Sequence, residues 1–458
     1  MRIKIYKIYI CCIFLSIVFI PITSLMFNGQ QLPSMLSEPS NFFVFGGLLF
    51  WVMEKIYYRK KINISHNSIL YFLFMFYIFT LLSGMFNVSS IYHSFYNDTE
   101  GIFRFFKLFF GLVFYSIIYV FLYDAIKTHI YEPIKFFSRG IIISFYISAI
   151  YSIFEIFGGF LGISWMLNIM QSIEAYIHPQ TFVFRLRSLA LEPNFFSLCA
   201  SLMMPWIIAL SLQGNKVKRI VYSCFSIYLL LMIVLTASRA MYVVAALELI
   251  GCLYINKDVI MLNKKYFIFL ACFGLLSIFS FFSYTLTSAE GYELDILAMY
   301  ETLFKMEGES NIARYGLSMA AFKAFLSNPF FGLGFGQYPF NFERFLPDWS
   351  FQSLEVLKDI CRVEGLPMTH SLYSRLLSEV GFFGTLFWLA IWIYVESNLI
   401  RKYIVLHKID ILKSIDLGNF LICTNALYFF WFSWDSLVSF IIWIILSIAS
   451  VTIDVEKV

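Results

Sequence analysis

Charge is scarce in this chain. Asp, Glu, Lys and Arg make up 14% of its 458 residues, while apolar residues make up 60%. Soluble domains run near about 25% charged and about 45–50% apolar, so a soluble globule of this composition could not cover its own surface. Cysteine supplies no framework. Cys361 alone sits in a long polar loop, and the others, such as Cys199, Cys252 and Cys423, lie in apolar runs. No Cys/His spacing suits zinc, and no disulfide pattern is visible. The Gly-rich phosphate loop of ATP-driven enzymes is missing. So is an outward-facing Asp-x-Asp pair that would hold a metal and a nucleotide-sugar. Arginine does not recur at every third position, which excludes a voltage sensor. Nothing points to nucleic acid, to an internal repeat or to a low-complexity tract.

What is present is long apolar runs. A helical span needs about 20 predominantly apolar residues, and backbone in lipid must satisfy its own hydrogen bonds. Unbroken runs exclude a barrel, whose strands alternate. The fold class is therefore an all-α polytopic membrane protein with about twelve transmembrane helices, forming one integral membrane domain over 1–458. The expected spans are Ile8–Phe27, Asn41–Tyr57, Ser68–Asn87, Phe105–Ile126, Ile141–Phe160, Phe195–Leu212, Ile220–Thr236, Ala240–Ile255, Tyr266–Tyr284, Ser371–Val395, Leu417–Trp434 and Leu437–Ile453. The basic start at Arg2, Lys4 and Lys7 leads into an apolar run with no small-x-small cleavage site, so it reads as an uncleaved first span.

Most Lys and Arg residues then fall on one side, in clusters such as Arg59-Lys60-Lys61 and Lys216-Val-Lys218-Arg219. The positive-inside rule makes that side cytoplasmic and puts both termini there. Basic residues on the outer side run against this bias. Outside the long loop over 286–370 they are Arg104, Lys107, Arg185 and Arg187 before the sixth span, Arg239 in a short turn and Arg375, and the long loop carries Arg314. That loop is expected to carry a helix capped by Ser310, with a stripe of Tyr315, Met319, Phe322 and Leu326. Asn328-Pro329 ends it, and a Gly-rich turn follows through Gly336.

Several side chains can carry chemistry. Guanidinium groups bind pyrophosphate or carboxylate oxygens with charge-assisted bonds, which suits Arg185, Arg187, Arg239 and Arg314. Each also has an ordinary reading as an interfacial arginine on a headgroup or a solvated face. Glu192, just before Pro193 at the membrane edge, is a first-turn acid or a base. His370, where the long loop meets the next span, is a proton carrier, a phosphate contact or a structural histidine. Arg375 has a ready partner in Glu379, four residues on. Glu155 and Glu248 are intramembrane acids without an obvious partner. Tyr338, Phe340 and Trp349 suit either sugar faces or loop packing.

Taken in order, Arg187-Ser-Leu-Ala-Leu-Glu192-Pro193-Asn194, Leu235-Thr-Ala-Ser238-Arg239, Ala313-Arg314-Tyr, Asn328-Pro-Phe-Phe-Gly332-Leu-Gly334-Phe-Gly336, His370-Ser-Leu-Tyr and Glu379-Val-Gly381-Phe-Phe-Gly384 resemble the O-antigen polymerase and O-antigen ligase superfamily. Ser371 departs from the asparagine more usual there after the histidine. The resemblance implies metal-independent, inverting glycosyl transfer at the periplasmic face of a bacterial inner membrane, with no cofactor. It implies an undecaprenyl-pyrophosphate-linked oligosaccharide as donor, within membrane lipid, and a chain-length regulator and a flippase as partners. It also implies that Arg187 and Arg314 hold the pyrophosphate and that His370 assists at the reacting end. The Glu192-Pro193-Asn194 pattern is more similar to polymerases than to ligases. A lipid-linked oligosaccharide transporter is the third reading, disfavoured because inverted repeats and broken midplane spans are not seen.

Overall fold

The computed structural model describes residues 5–27, 30–31, 37–63, 68–177, 185–213, 215–257, 259, 309–361 and 365–454. In chain order the helices are α1 (Ile5–Val18), α2 (Pro39–Tyr57), α3 (Ser68–Phe86), the short α4 (Val88–His93), α5 (Gly101–His129), α6 (Pro133–Phe154), α7 (Ser164–Ile177), α8 (Pro193–Leu212), α9 (Lys216–Leu235) and α10 (Arg239–Ile255). Then come α11 (Glu309–Ser327), the four-residue α12 (Tyr338–Asn341), α13 (Leu354–Ile360), α14 (Leu372–Ile409), α15 (Ile411–Phe430) and α16 (Phe440–Asp454). Two small antiparallel pairs, Met26–Phe27 with Gln30–Gln31 and Phe95–Tyr96 with Thr99–Glu100, close turns.

Among the described residues, six helices are long and apolar enough to cross a membrane: α3, α5, α6 with the turn after it, α8, α9 and α14. α1, α10 and α16 are shorter apolar helices. The protein is thus a multi-pass, helical membrane protein. The expected ninth span, Tyr266–Tyr284, lies outside the described residues. The first helix stops at Val18 rather than at Phe27, because Pro21 cannot continue it.

Helix α8 is the axle of the bundle. Its membrane-length window is 89% buried, against 22% for α9 at the periphery. It packs on α6, α9, α10 and α15. An apolar helix buried all round sits at the centre of such a bundle. The same core continues into an aromatic cluster: Trp392 and Trp431 are 5.1 Å apart, and Trp388 stands 6.1 Å from Trp431 and 6.4 Å from Trp443. These rings lock α14, α15 and α16 together.

Helix α14 is broken at Gly381, where φ is 71° and ψ is −169°. Essentially only glycine adopts that conformation. The break frees backbone groups, and the Gly-rich turn takes them. Leu333 N donates to Ser378 O at 2.8 Å, Gly334 N to Glu379 O at 3.0 Å, and Phe382 N to Pro329 O at 2.8 Å. Ser83 Oγ of α3 also donates to Glu379 O, at 2.7 Å. Gly332 and Gly334 thus serve docking onto the break, while Gly336 packs against Leu108 and Arg104 of α5. A Cβ at 381 would run into the Phe330 carbonyl. Gly381→Ala should therefore cost about 3 kcal/mol from backbone strain and displacement of the turn, read as a lower thermal midpoint by tryptophan fluorescence in detergent.

Helix α11 forms as the stripe predicts, but with the other face inward. Ala313, Leu317, Ala320, Ala321 and Ala324 are buried, while Tyr315, Met319, Phe322 and Leu326 are exposed. Ala313, Leu317, Ala320 and Ala321 pack against Tyr338, Phe342, Leu346 and Val356 of the segment that follows, and α11 also packs on α14. The large apolar side chains are left to face the surroundings, which suits a helix dipping into a membrane surface. Ser310 lies inside α11 instead of capping it, and Arg314 lies in its second turn.

Candidate active site

The segment from Arg185 to Glu192 has no regular structure, yet it is tied down along most of its length. Arg185 donates from Nε to Thr236 O and from Nη2 to Ala237 O, both at 3.1 Å, so it satisfies carbonyls at the end of α9. Leu186 N reaches Leu235 O at 2.8 Å. Arg187 is 4% exposed and pairs through Nη2 with Glu174 of α7 at 2.7 Å. The carboxylate of Glu155 accepts from Arg187 N at 2.9 Å and from Ser188 N at 2.8 Å. Glu155 sits in a π-helical turn, Glu155–Phe160, that continues α6, so this intramembrane acid has its partners in the backbone. Leu191 N donates to Thr23 Oγ1 at 2.7 Å. Ser238 Oγ donates to Asn194 Oδ1 at 3.1 Å. The result of this anchoring is an exposed Glu192 at the N-cap of α8.

His370 is fixed in a comparable way. Its φ is 54°, a left-handed conformation uncommon outside glycine. The chain is pinned on both sides of it. Thr369 N and Oγ1 donate to Asp435 Oδ2 at 3.1 and 3.0 Å, and Thr369 O accepts from Ser318 Oγ of α11 at 2.7 Å. Leu372 N donates to Trp431 O at 2.9 Å. Arg375 pairs with Glu379 at 3.1 Å, as the spacing predicts, and also donates to Asp435 O at 2.8 Å. Strain held by its surroundings is a recurrent mark of functional positions.

These two constructions meet in one cavity of about 580 Å3. Glu192, Arg314 and His370 line it together with Asn194, Glu355, Asp359 and Asp435. Its apolar wall includes Phe195, Leu198, Phe430 and Trp434. Arg314 Nε is buried without a hydrogen-bond partner among the described residues. His370 Nε2 is 3.9 Å from Glu355 Oε1, the outer limit of an ion pair. Burial and the Arg314 guanidinium push the His370 imidazole down to about 4, with Asp435 opposing. His370 is thus neutral at neutral pH. The N-terminus of α8 adds a positive field at the cavity wall.

Arg185 and Arg187 do not line this cavity. The side chain of Arg239 lies outside the described residues. Tyr338 is 1% exposed, with its hydroxyl on Leu317 O at 2.6 Å, so it packs the loop and does not face the cavity. Phe340 and Trp349 do not line the cavity either. The Gly-rich turn grips α14 and leaves the cavity roof to 365–368 and α13. Glu248 is 3% exposed, and neither of its oxygens has a partner among the described residues.

Sequence reasoning overlooked the acids. Glu355 and Asp359 stand four apart on α13, a spacing visible in the sequence, and Asp435 lies in the two-residue connection between the last two expected spans. Glu38, before α2, lines a small chamber that shares Phe195, Leu198 and Trp434 with the main cavity. Burial pushes its carboxyl up to about 7, and a hydrogen bond from Asn41 opposes this.

Fold and cavity together define a multi-pass helical membrane protein with a mixed-charge site at one end of its bundle. Residues 224–389 match the family model described as O-antigen ligase. This match supports membership of the O-antigen polymerase and ligase superfamily, whose members are glycosyltransferase-like enzymes. It takes in Arg239, Arg314, the Gly-rich turn and His370, and leaves Arg185–Asn194 outside. A search of curated proteins finds no match.

Linkage gives His370 a pH signature. Its folded value, about 4, lies below the ordinary 6.5. The unfolded chain therefore takes up the proton first as pH falls, and stability drops between about 6.5 and 4. The thermal midpoint of the wild type, measured against that of His370→Gln across that window, should fall as pH is lowered.

Proposed function

We propose that the protein is a surface-polysaccharide polymerase. It joins undecaprenyl-pyrophosphate-linked oligosaccharide repeats by inverting glycosyl transfer at the periplasmic face of the inner membrane. The observation that carries this is the unpartnered Nε of Arg314 in one cavity with His370 and Glu192. The apolar wall of Phe195, Leu198, Phe430 and Trp434 suits the first isoprene units of the donor.

In the reaction an acceptor hydroxyl attacks the anomeric carbon of the donor. The bond from that carbon to the pyrophosphate oxygen breaks, and the acceptor proton is lost. Arg314 stabilises the charge that develops on the pyrophosphate, which a fixed cation at a low-dielectric edge does well. His370, kept neutral beside Arg314, donates a hydrogen bond on the leaving-group side. Glu192, presented from the N-cap of α8, takes the acceptor proton, a role that contributes about 10²–10⁴-fold. Arg187, through Glu174, holds the segment that presents Glu192. The twelve-span topology with both termini inside belongs to the same proposal, as does the long periplasmic loop over 286–370.

The second reading is a ligase that transfers polymer to lipid A core, favoured by the description of the matching family. Complementing a deletion strain and running its surface polysaccharide on a gel separates the two. A polymerase null leaves core bearing one repeat. Bare core, with polymer held on undecaprenol, would overturn the polymerase reading. With purified lipid-linked repeats, Glu192→Gln should lose at least 100-fold in turnover, and near-normal turnover would remove Glu192 as the base.

A further inference from the structure

The small chamber that shares Phe195, Leu198 and Trp434 with the active cavity measures about 30 Å3. A buried water needs about 10–15 Å3 and about two to four polar partners, so the chamber is of a size for water. Its polar lining is Thr23, Glu38, Ser40 and Ser439. Thr23 lies in the connection from α1 to α2, Glu38 at the N-cap of α2, Ser40 in the first turn of α2 and Ser439 just before α16.

Three observations describe what this chamber does. The first is Ser40. It is 3% exposed, and its hydroxyl is buried with no hydrogen-bond partner among the described residues. Buried hydroxyls are rarely left so, and water is the usual partner. The second is Glu38. Its Oε2 accepts from Asn41 Nδ2 at 3.2 Å, and Asn41 Oδ1 accepts in turn from the Tyr115 hydroxyl of α5 at 3.0 Å. These bonds fix the carboxyl and leave Oε1 without a hydrogen-bond partner among the described residues. The third is Thr23. Its Oγ1 accepts from Leu191 N at 2.7 Å, so its own O–H remains to donate. Thr23 thus joins the chamber to the residue that precedes Glu192.

We propose that Glu38 is a positioning residue for Glu192, acting through a water held in this chamber by Glu38, Ser40 and Thr23. The inference rests on the assignment of Glu192 as the base. Leu191 N–H donates to Thr23, the Thr23 hydroxyl donates to the water, and the water donates to the Glu38 carboxylate. Every bond in this chain points toward the negative charge, and bonds arranged so reinforce one another. Protonation of Glu38 removes the charge that orders them. Burial pushes the carboxyl up to about 7, with Asn41 opposing, so the change falls near neutral pH. The titratable groups that face Glu38 are Tyr115 of α5 and Cys199 of α8, both uncharged at neutral pH by their ordinary values.

The test uses the full-length protein in detergent. Hydrogen–deuterium exchange at the Leu191 amide is followed by mass spectrometry in wild type and in Glu38→Gln, which is neutral at every pH. At about pH 8 the variant should exchange about ten-fold faster, as expected for loss of one bond to a charged group. At about pH 6, where wild-type Glu38 is protonated, the two should agree. Thr23→Val should exchange faster than wild type at both pH values, and adding Glu38→Gln to it should change nothing further. With purified lipid-linked repeats, Glu38→Gln should lower kcat about ten-fold at the higher pH, with KM unchanged. Equal exchange in wild type and Glu38→Gln at both pH values, or a difference that does not depend on pH, overturns the proposal. Altered exchange with normal kcat overturns it as well. A wild-type protein that turns over no lipid-linked repeat would overturn the polymerase reading instead, and the exchange result would still decide the chain from Glu38 to Leu191.

Discussion

Arg314→Ala is expected to abolish chain extension while leaving the protein folded in the membrane. Arg314 lies on the second turn of α11, and its Nε finds no partner among the described residues. Its removal leaves the buried face of α11 intact, because Ala313, Leu317 and Ala320 pack against Tyr338, Phe342 and Val356. What is lost is the positive charge in the active cavity, beside His370. Removing one preorganised group of this kind costs about 10²–10³-fold in turnover. Arg314→Lys keeps the charge but not the planar fork, so it should retain a small fraction of activity. The His370 imidazole should rise toward its ordinary value in Arg314→Ala, because the guanidinium is one of the causes of its depression. A full polysaccharide ladder from Arg314→Ala, with normal protein levels, would remove Arg314 from the mechanism.

Arg187→Ala should fail for a different reason. Arg187 and Glu174 form a pair whose side chains are 5% and 9% exposed. Deleting one member strands the other charge and costs about 3–5 kcal/mol. The expected result is a large loss of folded protein, with activity lost in proportion. Replacing both together, as Arg187→Met with Glu174→Leu, should recover most of the thermal midpoint, since apolar substitutes for a buried pair are often neutral or better. The double variant then separates the two roles open to Arg187. A folded protein that still extends chains makes Arg187 a positioning residue for Glu192. A folded but inactive double variant would return Arg187 to the pyrophosphate site that the resemblance implies.

The contrast between these two arginines shows where sequence reading stops. Both run against the positive-inside bias, and both belong to motifs that resemble the same superfamily. One faces a cavity and the other faces a carboxylate on α7, a helix hidden in what reads as loop. Amphipathic α7 is interrupted by no strong signal, yet its Glu174 decides what Arg187 can do. The Arg375–Glu379 pair was legible because both partners lie on one helix, four residues apart. The Glu155 partners were not, because they are backbone amides more than thirty residues away.

The amino-acid sequence by itself determined the solvent of this protein, the apolar helices that meet it and the order of the motifs. Those follow from composition and local period, which need no knowledge of neighbours. Tertiary structure alone decided the rest. It turned the Gly-rich segment onto the break at Gly381, because freed backbone groups in a buried helix must be paired. It faced Ala313, Leu317, Ala320 and Ala321 of α11 inward, because Tyr338, Phe342, Leu346 and Val356 of the following segment fold back onto that face. And it gathered Glu192, Arg314, His370 and Asp435 into one cavity from four stretches of chain, since their meeting depends on helix packing over distances that no local pattern encodes.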